Sequence, residues 1–139
     1  MDNIVINKIW QENDLLELKI MCQSQFVTAY QTCYIQTQIL NKISDQISNC
    51  TKYLKSDCYF EFGKKNGNYT PAFSMEITEI NTTGHVQIEV DLEVPDNNSR
   101  RHRCCFYVMS ELGSLERFGE NLKGLIDADI GEEVILNCC

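Results

Sequence analysis

The residues of this chain best placed to act together are four carboxylates and a tyrosine. In GHVQIEVDLEV, residues 84–94, Glu89, Asp91 and Glu93 alternate with Ile88, Val90, Leu92 and Val94. A strand turns successive side chains to opposite faces, so the three acids share one face at steps of about 6.6 Å. PAFSMEITEI, 71–80, precedes it across the turn NTTG, 81–84. A four-residue turn sets Ile80 opposite His85. Phe73 then meets Leu92, Met75 meets Val90 and Ile77 meets Ile88, so apolar residues agree on every rung. The same register sets Glu76 against Glu89 and Ser74 against Asp91. The next strand, HRCCFYVMS, 102–110, has a freer register. In one version Arg103 meets Glu93, and Cys105, Tyr107 and Met109 join the outer face.

Three roles suit such a face. It can be a solvated surface whose charges resist aggregation. It can complement a basic protein, with Tyr107 as an aromatic anchor. Or Glu76 and Glu89 can form a pair for acid–base work, or the carboxylates can hold a metal, which requires a recessed site. The candidate partner-binding residues are Glu76, Glu89, Asp91, Glu93 and Tyr107. No catalytic residue, cofactor or metal site is assigned. The two histidines, His85 and His102, fall on different strands, and the chain holds no HExxH, CxxC, GxSxG or phosphate loop. HRCC, 102–105, and NCC, 137–139, bring one His and four Cys. Adjacent cysteines in a strand face opposite ways, so only one of Cys104 and Cys105 can join a given site. Cys138 and Cys139 read as an exposed tail, without the C-a-a-X pattern of prenylation. RRHR, 100–103, is the only basic cluster and reads as a strand-end cap that neutralises carboxylates.

Composition narrows the roles further. The chain has 139 residues, is 43% hydrophobic and 23% charged, and carries a net charge of −8. This is the profile of one soluble globular domain, residues 1–139. The negative charge argues against nucleic acid and anionic membrane as partners and favours a basic one. Without a leader or a long apolar run at the N-terminus, MDNIVINKIWQEND, the expected location is the cytoplasm. There the eight cysteines are expected to be reduced, with Cys22, Cys33, Cys50 and Cys58 acting as small buried hydrophobes.

The elements that must position the acids follow from periodicity. Strands are predicted at 4–10, 14–25, 26–34, 58–63, 71–80, 84–94, 102–110 and 132–137. KKNGN, 64–68, holds an Asn-Gly turn signal, and PDNNSRR, 95–101, reads as a loop. Leu40, Ile43, Ile47, Cys50 and Leu54 mark an amphipathic helix over 36–54. Leu112, Leu115, Phe118, Leu122 and Leu125 mark a second over 111–125, with Ser110 as its cap. Gly113, Gly119 and Gly124 weaken that second helix but allow close packing on the sheet. The expected fold class is α+β: a mainly antiparallel, meandering sheet with two helices packed against it.

GHVQIEVDLEV, HRCCFYV and SELGSLERFGENLKGLI, taken in order, resemble small bacterial immunity proteins, with LLELKI at 15–20 as a further match. These are the cytosolic inhibitors of polymorphic and contact-dependent toxins, including the group associated with wall-associated toxins. The likeness spans mainly residues 72–126. It implies a single cytosolic domain without chemistry that neutralises a toxin, often a basic nuclease, through complementary charge. The alternative is a small-ligand-binding module with a cleft between sheet and helix near Tyr107.

Overall fold

The computed structural model describes residues 2–54, 58–64, 71–94, 100 and 102–137. The segment with the Asn-Gly turn, 64–68, apart from Lys64, most of the loop 95–101 and the Cys138–Cys139 tail lie outside the described residues. The chain runs β1 (Asn3–Glu12), β2 (Leu15–Gln23), β3 (Thr28–Gln36), α1 (Thr37–Lys52), β4 (Cys58–Lys64), β5 (Pro71–Ile80), β6 (His85–Val94), β7 (His102–Glu111), α2 (Leu112–Leu122) and β8 (Glu133–Asn137). A single 3-10 turn, Lys123–Ile126, extends α2. The fold is α+β, as its patterning indicates. The strands divide into two antiparallel four-stranded sheets, ordered β3-β2-β1-β8 and β4-β5-β6-β7.

The second sheet is a pure meander. The first takes its fourth strand from the chain's end, so β8 returns to lie beside β1 in the spatial order of a Greek key. Each sheet has one apolar face. Leu16, Leu18, Ile20 and Cys22 alternate inward on β2, and Val86, Ile88, Val90 and Leu92 on β6. These residues, with Leu40 and Ile47 of α1 and Leu115 and Phe118 of α2, form one core cluster. Burial of two complementary sheet faces and two helical stripes supplies the main favourable term in folding.

The helices meet each other closely. Gly119 of α2 lies so near α1 that an added Cβ would sit 2.6 Å from Cγ2 of Ile47. Ser44, fully buried on α1, donates its hydroxyl hydrogen bond to the Gly119 carbonyl. So the glycine that fits helix to helix is Gly119 alone; Gly113 and Gly124 make no such approach. Two details depart from the sequence reading. Leu54 lies past the end of α1, exposed and at φ 53°, so the stripe ends at Cys50. Ser110 belongs to β7 and donates to the Asn137 carbonyl of β8, tying the sheets together at that end. The cap position of α2 is Glu111, without a side-chain cap bond, and the Leu112 N–H instead donates to the Gly84 carbonyl.

Cys50 and Cys58 are joined by a disulfide, with their Cα atoms 6.6 Å apart. This corrects their reading as separate reduced thiols. The bridge fastens the last turn of α1 to the first residue of β4, an adjacency that linear spacing does not reveal.

Candidate functional site

The outer face of the second sheet brings the acids together. Phe73↔Leu92, Met75↔Val90 and Ile77↔Ile88 pair as their alternation demands, and Glu76↔Glu89 and Ser74↔Asp91 pair on the opposite face. Nearer the turn the register differs from the sequence reading. Ile80 pairs with Val86, and the extra residue is absorbed by a bulge at Thr78, between Ile77 and Glu79. The cause is the turn itself. The Asn81 Oδ1 accepts from the N–H groups of Thr83 and His85, and the Asn81 N–H donates to the His85 carbonyl. Gly84, at φ +86°, completes this connection, which is one residue longer than a four-residue turn. The Thr78 hydroxyl donates to the Gln87 carbonyl beside the bulge.

β7 adopts the register that places Arg103 against Glu93, Asp91 against Cys105, Glu89 against Tyr107 and Gln87 against Met109. β4 adds Tyr59 opposite Glu76 and Glu61 opposite Ser74. One rung across the whole sheet therefore reads Tyr59–Glu76–Glu89–Tyr107, and the next reads Glu61–Ser74–Asp91–Cys105. Two carboxylates lie side by side between two tyrosines that are 49% and 50% exposed. Tyr59 and Glu61 were not singled out from sequence. The signal was present in the alternation of CYFEFG, whose Phe60 and Phe62 are buried, but the β4–β5 connection left the register open.

Electrostatics within the face are local. The Arg103 Nε lies 3.0 Å from Asp91 Oδ1, a diagonal contact, although its rung partner is Glu93. The Tyr107 hydroxyl is held above its usual pKa by its hydrogen bond to Glu89 and by that carboxylate's charge. Tyr59 is also raised, first by burial. The Cys105 thiol donates to Glu89 Oε1 at 3.5 Å. Its pKa is pushed up to about 11, first by burial of the sulfur and then by Glu89. Glu76, Glu89 and Asp91 are half-buried, while Glu93 is only 6% exposed. Glu93 is therefore a correction: it shares the strand face but is not part of the accessible row.

The carboxylates lie on an open sheet surface flanked by side chains of their own strands. A cleft of ≈ 760 Å³ forms elsewhere, at the β1–β2 turn and the start of α1, lined by Trp10, Asn13, Leu15 and Gln36 among others. None of its lining residues comes from the strands that carry the acids. Among the described residues no group of three or more His, Cys, Asp or Glu could hold a metal ion. Among them, too, no helix is long and apolar enough to cross a membrane.

No protein-family model matches the chain, and no curated protein matches it.

Proposed function

We propose that the chain is a non-catalytic binding domain that captures a basic protein on the outer face of β4–β7. The observation that carries this reading is the rung Tyr59–Glu76–Glu89–Tyr107, with Asp91 beside it. Two exposed aromatic rings flanking adjacent carboxylates offer both parts of an interface anchor: large apolar area and negative potential for Lys or Arg. Like charges placed on one rung lower stability slightly in the free chain, and a basic partner would relieve that repulsion. The resemblance to immunity proteins makes the partner a toxin domain, met in the cytoplasm and neutralised by occlusion. Association should be fast and weakened by salt.

The test is capture from a lysate of the source cells by the tagged chain, compared with two charge-reversed variants of equal net charge. Glu89→Lys/Asp91→Lys alters the face; Glu116→Lys/Glu120→Lys alters an exposed stretch of α2. Wild type and the helix variant should retain a stoichiometric basic protein that high salt releases, and the face variant should not. Retention by the face variant, or no capture while the toxin is expressed, overturns the reading.

The Cys50–Cys58 bond favours a second location, since disulfides persist in oxidising compartments and are rare in the cytosol. Thiol labelling in intact cells separates the two. Cytoplasmic chain should label at Cys50 and Cys58, whereas chain in an oxidising compartment should be protected there until reduced.

A further inference from the structure

The Cys50–Cys58 bridge ties α1 to the second sheet, and it borders a cavity of its own. That cavity measures ≈ 290 Å³ and is lined, among the described residues, by Gln46, Asn49, Cys50, Cys58, Tyr59 and Phe60. Gln46, Asn49 and Cys50 are three and four residues apart, so they share one face of α1. Gln46 and Asn49 are exposed and form the helical side of the opening, and Tyr59 stands on the strand side. Cys50 is only 5% exposed, whereas Cys58 is half-buried, so an incoming reagent reaches the Cys58 sulfur first. The volume is near the lower end of small-molecule sites and excludes a folded protein. Two carboxamides and a phenol offer donors and acceptors suited to the amides and carboxylates of a short peptide.

The bond also holds one end of a strand. β4 lies at the edge of its sheet, with β5 as its ladder neighbour. Cys58 is its first residue, and the bridge pins that residue to the last turn of α1. Tyr59 follows, opposite Glu76, with its hydroxyl hydrogen-bonded to the side chains of Ser74 and Glu61. Further along, Phe60 and Phe62 are buried, and the Phe62 ring lies 5.2 Å from that of Phe73. Core packing therefore holds the middle of β4, and the bridge holds its start.

We infer that the Cys50–Cys58 bridge is an exchange site for a small peptide thiol of the glutathione kind, attacked at Cys58, and that its opening frees the start of β4. The thiolate of the small molecule attacks the Cys58 sulfur, and the S–S bond breaks. A mixed disulfide forms at Cys58, and the bonding pair leaves on the Cys50 sulfur, which takes up a proton. A second small thiolate attacks the mixed disulfide at the small molecule's own sulfur. Cys58 departs and is protonated, and a small-molecule disulfide is released. Two electrons pass from two small thiols to the bridge. Tyr59 belongs to the face proposed above for a basic protein, but the readouts below come from the chain alone, so the inference stands or falls apart from toxin capture.

The test incubates the native, bridged chain with reduced glutathione under nitrogen, quenches it with N-ethylmaleimide at successive times and maps the peptides by mass. Opening should be first order in glutathione, and early samples should carry glutathione on Cys58 with maleimide on Cys50. Hydrogen exchange on the reduced chain should show the β4 amides that bond β5 near Tyr59 exchanging at least about tenfold faster, while β5, β6 and β7 keep their protection. Cys50→Ser/Cys58→Ser should show the same local pattern without glutathione, which separates loss of the bond from the presence of the adduct. An opening rate independent of glutathione concentration means that the bond is reached only through global unfolding, and it overturns the exchange site. An adduct on Cys50, or on neither sulfur, overturns the attack at Cys58. Unchanged β4 protection after reduction, or loss of protection in all strands together, overturns the local release.

Discussion

At the scale of single residues, Glu89 sets the chemistry of its neighbours. It accepts from Cys105 and raises Tyr107 across the same rung. For a thiol, a nearby carboxylate favours the neutral form, because the thiolate would be repelled. In Cys105 burial of the sulfur comes first and Glu89 second, and together they push its pKa up to about 11, which leaves little thiolate at neutral pH. Alkylation of Cys105, followed by peptide mass mapping, should therefore keep accelerating with pH until about 11. An ordinary free cysteine levels off at about 8.5 to 9. Glu89→Gln removes the charge and should move the Cys105 midpoint down. A midpoint near the ordinary thiol value in wild type would show that Glu89 does not control this sulfur. Cys22 shares burial as the first cause of its raised pKa, but it is fully buried and its second cause is the nearby Cys104, so it should stay unreactive while the fold holds.

At the scale of elements, the close seat of α2 on α1 is the tightest fit. A methyl group at Gly119 would come within 2.6 Å of Ile47 Cγ2 and 3.0 Å of its Cβ, so the helices must separate to admit it. Gly119→Ala should cost about 1–3 kcal/mol by urea denaturation, although alanine is the better helix former. Ile47→Ala alone leaves a cavity and should cost about 2–5 kcal/mol. In the double variant the new methyl enters the space vacated, so its loss should be clearly smaller than the sum of the singles. Strict additivity would mean that the two residues are not in contact. The Cys50–Cys58 bridge holds the same helix at its far end; closing so short a loop contributes about 2–3 kcal/mol in the chain-entropy account.

The elements also show what the sequence makes legible. Among the described residues each strand and both helices overlap the segment that hydrophobic period assigns to them, with ends shifted by a few residues, because alternation and 3.6-residue spacing are imposed by local geometry. The β5–β6 register near Phe73 and Leu92 was legible because one face is buried, whereas its shift at Thr78 depends on how Asn81 folds the turn. The division into two sheets was not legible. Period 2 assigns a face to each residue but no neighbour to each strand, and the return of β8 to β1 spans most of the chain. For the site, Glu76, Glu89, Asp91 and Tyr107 were found together, while Tyr59 required knowledge of the β4–β5 pairing.

At the scale of the whole molecule, β8 is where core and surface are most sharply divided. Leu136 is fully buried in the common core, paired with Ile4, which is also fully buried. Ile135, one residue away, points outward and is 44% exposed. Leu136→Asp puts a carboxylate without a partner into the core, which costs upwards of about 4 kcal/mol, a large share of the roughly 5–15 kcal/mol that holds a domain folded. That variant should lose its cooperative urea transition or show it at much lower denaturant. Ile135→Asp should change the stability of the monomer by about 0.5 kcal/mol or less, since it makes a surface residue polar. A molecule in which both variants unfold equally would have β8 buried on both sides, and the outer face of the first sheet would then not be a free surface.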